Sequence, residues 1–138
     1  MTALWPFQVW RRHGQVASLV DLARVLLALP GVELARKVQG PAPLVGRLRV
    51  KGATRVARTE VQRRRLRSTI AAVDARLPGG GNCYRRALLE IALDRDAAAQ
   101  PFYMGLTATG EPKSGHAWLG SDGAVTDAVR RYDAIISL

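Results

Sequence analysis

The stretch Pro78-Gly79-Gly80-Gly81-Asn82-Cys83-Tyr84-Arg85-Arg86-Ala87-Leu88-Leu89-Glu90-Ile91 decides how the rest of the chain is read. A proline and three glycines end any helix that precedes them, and Asn82 is a good N-cap for a new helix from Cys83 to about Asp94. Tyr84, Ala87, Leu88 and Ile91 line one side of that helix and Leu89 and Leu93 another. Apolar on so much of its circumference, it is expected to be buried. The only cysteine of the chain therefore stands in the first turn of a buried helix. Helix N-termini carry unpaired N–H groups and partial positive charge, which stabilise a thiolate and can hold an oxyanion. The glycines leave room for a substrate carbonyl to approach. A small hydrophobe near a helix start is the competing reading of Cys83.

Upstream, Thr59-Glu60 opens a helix in which Leu66, Ile70, Val73 and Leu77 fall at i, i+4, i+7 and i+11 before Pro78 stops it. Arg63, Arg64, Arg65 and Arg67 lie mostly on its other faces. Nearer the N-terminus, Val16, Leu19, Val20, Ala23, Leu26 and Leu27 recur at helical spacing. Pro30-Gly31 reads as the stop of that helix, and Val32 to Gln39 as a short second helix ending at Gly40. From Gly40 to about Thr59 the prolines, the glycines and the alternating Arg47-Leu48-Arg49-Val50 predict a loop or short extended segment. Downstream the apolar period changes from 3.6 to 2. Phe102 to Thr107 is expected to be a strand, Thr109 to Ser114 a turn and Gly115 to Gly120 a second strand. Asp122-Gly123 is a two-residue hairpin signal that returns Ala124 to Ala128 antiparallel to that second strand. The fold class that follows is α+β, a helical N-terminal half packed on a small antiparallel sheet. Residues 1–138 are expected to form one domain, with 1–78 as a basic helical part and 79–138 carrying the buried helix and the strands.

Composition bounds the partners. The 138 residues are 48% hydrophobic and 23% charged, which excludes a disordered chain. Twenty-one Lys+Arg against eleven Asp+Glu give +10, and eighteen of the cations are arginine. The excess lies in residues 1–90, which hold seventeen Lys/Arg and five Asp/Glu. An acidic partner is expected. One cysteine excludes an internal disulfide and fits a reducing compartment. No apolar run reaches eighteen residues and no signal-peptide pattern stands at the start, so the expected location is the cytoplasm. No helix-turn-helix, zinc or Gly-rich phosphate motif is present, so neither base readout nor a cofactor or metal is expected.

A thiol nucleophile needs a base. His116 lies in the second predicted strand, in Gly115-His116-Ala117-Trp118, and the other histidine, His13, stands in the stretch Arg11-Arg12-His13 before the first helix. A strand histidine with no chemical role is the competing reading, and Trp118 is read as a core or pocket-wall aromatic. With Asp122-Gly123 as the turn, Trp118 opposes Asp127, which places Asp127 diagonal to His116 on the same face, roughly 7 to 8 Å away at the backbone. Asp122 is roughly 20 Å along the strand. Cys83, His116 and Asp127 then supply a nucleophile, a proton shuttle and an orienter for thiol acyl transfer.

These residues resemble a known family. The order of Cys, His-Ala-Trp and a later Asp is similar to that of the transglutaminase-like, papain-related cysteine peptidases. Cys83-Tyr-Arg-Arg86-Ala87-Leu88, Phe102-Tyr-Met-Gly105-Leu and Ser114-Gly-His116-Ala117-Trp118 look like the stand-alone leader peptidase of lasso peptide biosynthesis, the protease half of the split B protein. The resemblance covers about residues 14 to 129. It implies that a Cys83–His116–Asp127 triad cleaves the leader from a ribosomally made precursor peptide, so that a separate lasso cyclase closes the macrolactam. It also implies a small leader-recognition partner of the winged-helix type. Where members commonly continue His-Ala-Trp with Val-Glu, this chain has Leu119-Gly120, with no polar residue in place of the Glu. The Arg63-to-Arg67 run is then open to three readings: a solvated helix face, a phosphate contact, or a receiver of the acidic leader and its carrier. The alternatives to a leader peptidase are another thiol amidase or acyltransferase on the same fold, and a non-catalytic basic module that binds nucleic acid.

Overall fold

A computed structural model describes residues 15–106, 115–120 and 134–138, without the side chains of 15–17. The turn at 109–114, the Asp122-Gly123 hairpin, the returning strand 124–128 and Asp127 all lie outside the described residues. In chain order the described elements are α1 (Gln15–Val38), α2 (Pro41–Ala53), α3 (Glu60–Asp74), α4 (Cys83–Leu93), α5 (Arg95–Ala98), β1 (Phe102–Leu106), β2 (Gly115–Leu119) and β3 (Ala134–Ser137). The architecture is the expected α+β, helices first and a small antiparallel sheet after them.

Pro30 does not end α1. The helix runs through it, and Val25, Ala28, Val32 and Ala35 form one buried stripe on both sides of it. Proline removes one interior hydrogen bond, whereas the continuous apolar stripe holds the two halves against the same core. The buried face is also not the one expected: Leu19, Val20, Leu26 and Leu27 face out, Leu27 at 82% exposure, while Ser18 and Asp21 face in. Asp21 is tolerated there because Arg58 Nη2 lies 3.0 Å from its Oδ1.

The segment expected to be a loop is helix α2. Pro41 occupies its first turn, where no N–H is needed, and Gly40 is the N-cap. Leu44, Val45, Leu48 and Gly52 are buried against α4 and α5, so the apparent alternation of Arg47 to Val50 is a helix with Leu48 in and Val50 out. At α3, Thr59 and Gln62 form a reciprocal capping box, with Thr59 Oγ1 accepting the Gln62 N–H at 3.2 Å and Gln62 Oε1 accepting the Thr59 N–H at 2.8 Å. This helix ends at Asp74, three residues before the expected Leu77.

Helix α4 is central. Ala87 to Leu93 are all buried, and α1, α2, α3, α5 and β2 all pack on it. The sheet order is β2-β1-β3, with Phe102 opposite Leu119 and Leu106 opposite Gly115. The strand beside β1 on its far edge is β3, a segment for which the sequence carried no expectation, extended by paired bonds between Phe102 and Leu138.

Candidate active site

Cys83 is the first residue of α4, directly after its N-cap. The Asn82 side-chain oxygen accepts the Arg85 N–H at 2.9 Å, and the Asn82 carbonyl accepts the Arg86 N–H at 3.1 Å. The N–H groups of Cys83 and Tyr84 fall among those that helix geometry leaves without an intrahelical partner. The cysteine is half-buried and packs on the core. Its Sγ accepts the backbone N–H of Ala117 at 3.3 Å. That contact joins the start of α4 to β2 at the residue immediately after His116.

β2 is an edge strand of the described sheet. Alternation along it sends Ala117 and Leu119 to the core side, with Phe102 opposite Leu119, and His116 and Trp118 to the other face. The His116 ring stacks on Trp118, centroids 5.7 Å apart, and Trp118 stacks on its cross-strand partner Tyr103 at 5.6 Å. Trp118 is 6% exposed and His116 is exposed, so the imidazole rests on a buried aromatic wall with solvent access. A ring held flat against indole has fewer rotamers to lose when it takes up a productive position.

Beneath the cysteine lies an ionic cluster that sequence reading missed. Asp74, the last residue of α3, is 1% exposed, and Arg85, one turn into α4, is 2% exposed. Arg85 Nε donates to Asp74 Oδ1 at 2.7 Å. The other carboxylate oxygen, Oδ2, accepts the N–H groups of Gly81 at 2.9 Å and Asn82 at 3.1 Å. Arg85 Nη2 reaches the Gly79 carbonyl at 3.4 Å, and Nη1 reaches Glu33 Oε1 of α1 at the same distance. Glu33 is also forked by Arg36, at 2.8 and 3.0 Å. Hydrogen bonding from Arg36 is the main cause that holds the Glu33 carboxyl below its ordinary 4.5. Partial burial opposes it, and the charges of Arg36 and Arg85 add to it. The signal that the sequence does carry is the Arg85-Arg86 pair in a largely apolar helix, where a buried arginine needs a carboxylate partner; it names neither which arginine is buried nor that partner.

The glycines before Cys83 serve this cluster. Gly79 and Gly81 have φ of 70° and 81°, a region that favours glycine. A Cβ on Gly80 would lie 2.9 Å from the Asp74 carbonyl oxygen.

The arginine run is not simply a solvated face. Arg63 Nη1 donates to Asp96 at 2.8 Å and Arg67 Nε to Glu90 at 2.6 Å, which ties α3 to α5 and α4. Arg55 reaches the Ala92 carbonyl, and Arg49 reaches those of Gln100 and Leu138. Arg64, 73% exposed beside Glu60, stays at the surface.

Of the three residues expected at the site, Cys83 and His116 stand on elements that meet, and Asp127 lies outside the described residues. Among the described residues, no group of three His, Cys, Asp or Glu is arranged to hold a metal ion, and no helix is long and apolar enough to cross a membrane. A family model described as the transglutaminase-like superfamily matches residues 26–137. No curated protein and no solved structure matches the chain.

Proposed function

This chain belongs to the transglutaminase-like superfamily, a group that contains cysteine peptidases and transglutaminases, and from that premise we propose that it is a cysteine peptidase removing the leader from a ribosomally synthesised lasso precursor peptide. The observation that carries the reading is the 3.3 Å contact from the Ala117 N–H to Cys83 Sγ, which sets a helix-N-terminal thiol beside the strand that bears His116. The likeness of Cys83-Tyr-Arg-Arg-Ala-Leu and Ser114-Gly-His-Ala-Trp to the leader peptidases supports the substrate.

In this mechanism His116 takes the Cys83 proton and the thiolate attacks the scissile carbonyl of the leader–core junction. The tetrahedral oxyanion is held in part by the Cys83 N–H, and removing such a donor typically lowers rate by roughly 100- to 1000-fold. Collapse breaks the C–N bond, the imidazolium protonates the leaving amine of the core, and the leader remains as a thioester. His116 then deprotonates water, which releases the leader acid and regenerates the thiol. Asp127 orients the imidazole. The precursor comes to the enzyme on a winged-helix recognition protein, and the freed core passes to the lasso cyclase.

The test is intact-mass analysis of a lasso precursor incubated with the enzyme and the recognition protein. Two fragments whose masses sum to precursor plus water are expected from the wild type. Cys83→Ala and His116→Ala are expected to lower the rate by at least about 1000-fold, the scale of losing a member of a catalytic unit. An amine adduct of the leader instead of its acid assigns an acyltransferase. Full activity in Cys83→Ala, or salt-dependent binding to DNA with no peptide product, overturns the peptidase reading.

A further inference from the structure

The Asp74–Arg85 pair is buried deeper than any other ionic contact near the site, and most of its hydrogen bonds run to the segment that ends at the cysteine; its outer partners are Arg86, whose Nε lies 3.8 Å from Asp74 Oδ2, and Glu33. Asp74 uses one oxygen for Arg85 and the other for two consecutive N–H groups, those of Gly81 and Asn82. Arg85 closes the loop from below through the Gly79 carbonyl and ties it to α1 through Glu33. The residue after Asn82 is Cys83. We propose that Asp74 and Arg85 are positioning residues of the thiol site: together they lock the Gly79–Asn82 loop, and so fix where the first turn of α4 aims the Cys83 sulfur and its N–H. This rests on the reading of Cys83 as the nucleophile.

Three observations carry the assignment. Fold stability alone does not call for a carboxylate here, because a buried ion pair is often no more stabilising than apolar residues of the same volume. The acceptor pattern is specific to the loop: by taking the N–H groups of Gly81 and Asn82, Asp74 anchors the N-cap and the residue before it, while Asn82 takes that of Arg85. The N–H groups of Cys83 and Tyr84 are thereby left for whatever binds at the sulfur. Finally, the glycines fit the clamp, two by their φ and Gly80 by its closeness to the Asp74 and Ala75 carbonyls. A displacement of about 1 Å at a reacting group can lower rate by about 100-fold, so a loop held by three hydrogen bonds from these two side chains has kinetic consequences at Cys83.

The experiment compares wild type, Asp74→Asn and Arg85→Lys for precursor cleavage and for hydrogen exchange resolved by segment. Asp74→Asn is expected to lower kcat by about 10- to 100-fold with KM within about twofold. Exchange at residues 79–85 should accelerate, with the α1 and α2 amides unchanged. Arg85→Lys keeps the charge but not the fork, and should fall between wild type and Asp74→Asn. Where Asp74→Asn does not fold, Gly80→Ala replaces it: the new Cβ pushes the loop off the Asp74 carbonyl with both charges in place, and the same kcat loss is expected. Unchanged kcat in a folded variant overturns the proposal, as does kcat loss with uniformly faster exchange through the core, which marks a purely structural pair. If the wild type cleaves no precursor, the peptidase reading fails separately. The rate of Cys83 alkylation by iodoacetamide then decides, a change of at least about fivefold in Asp74→Asn supporting the clamp and an unchanged rate overturning it.

Discussion

Tyr84 and Cys83 are neighbours on one helix turn, both partly buried against the core, and differ in how their polar atoms are satisfied. The sulfur of Cys83 has a hydrogen-bond donor in Ala117, whereas the Tyr84 hydroxyl oxygen is buried with no hydrogen-bond partner among the described residues. Burial raises the Tyr84 pKa from its ordinary 10.0, and the charge of Arg36 works against that rise. The ring packs near Phe102, centroids 6.0 Å apart, so what holds Tyr84 in place is its apolar body. A buried polar group with no partner costs about 1 to 3 kcal/mol. Tyr84→Phe is therefore expected to stabilise the fold by about 1 kcal/mol or more, read as a higher urea midpoint. A lower midpoint means that the hydroxyl has a partner. At this scale the sequence was informative about chemistry and silent about pairing. Cys83 after Asn82 was legible because capping is local, and Arg85 was not, since its partner lies eleven residues away across a glycine loop.

The elements show where local signals lost to packing. Helix α2 was hidden by its prolines and glycines, residues that punctuate loops on average, yet Pro41 sits where a helix tolerates it and Gly52 is where α2 meets α4. A Cβ on Gly52 would run into the Ile91 carbonyl oxygen and the Ala98 methyl. Gly52→Ala is expected to destabilise the fold by about 1 to 3 kcal/mol, despite alanine's better helix propensity, because a well-packed interface has no room to yield. Equilibrium unfolding measures it, and a stabilised variant means that α2 and α4 do not approach so closely. Helix α1 errs the other way. Leu19, Val20, Leu26 and Leu27 are helical in period but outward in the fold, since the buried stripe is chosen by what α3 and α4 present and by the Arg58 partner of Asp21.

Across the molecule, Glu33 of α1 joins the cluster that links α3 to α4, through Arg36 and Arg85. Its carboxyl is held below 4.5 in the folded state, chiefly by its hydrogen bonding with Arg36. A depressed carboxylate contributes stability that is present above its unfolded value and lost as pH falls through the folded one. The wild-type melting temperature is thus expected to fall more steeply than that of Glu33→Gln between about pH 5 and about pH 3, with the two curves converging at the acid end. Parallel curves over that range mean that Glu33 is not engaged in the folded state.

Local signals in the chain set the order of helices before strands, the start of α3 at Thr59, the start of α4 at Asn82-Cys83, and the strands that carry Tyr103 and His116. Each of these depends on residues within one or two turns of each other, where spacing, capping and period act without help from the rest of the chain. Packing between distant segments settles which face of α1 is buried, that 41–53 is helical, that β1 lies between β2 and β3, and that Asp74, Arg85 and Glu33 meet under the cysteine. Those outcomes depend on contacts between residues far apart in sequence, whose energies of burial and ion pairing exceed the small local preferences that oppose them.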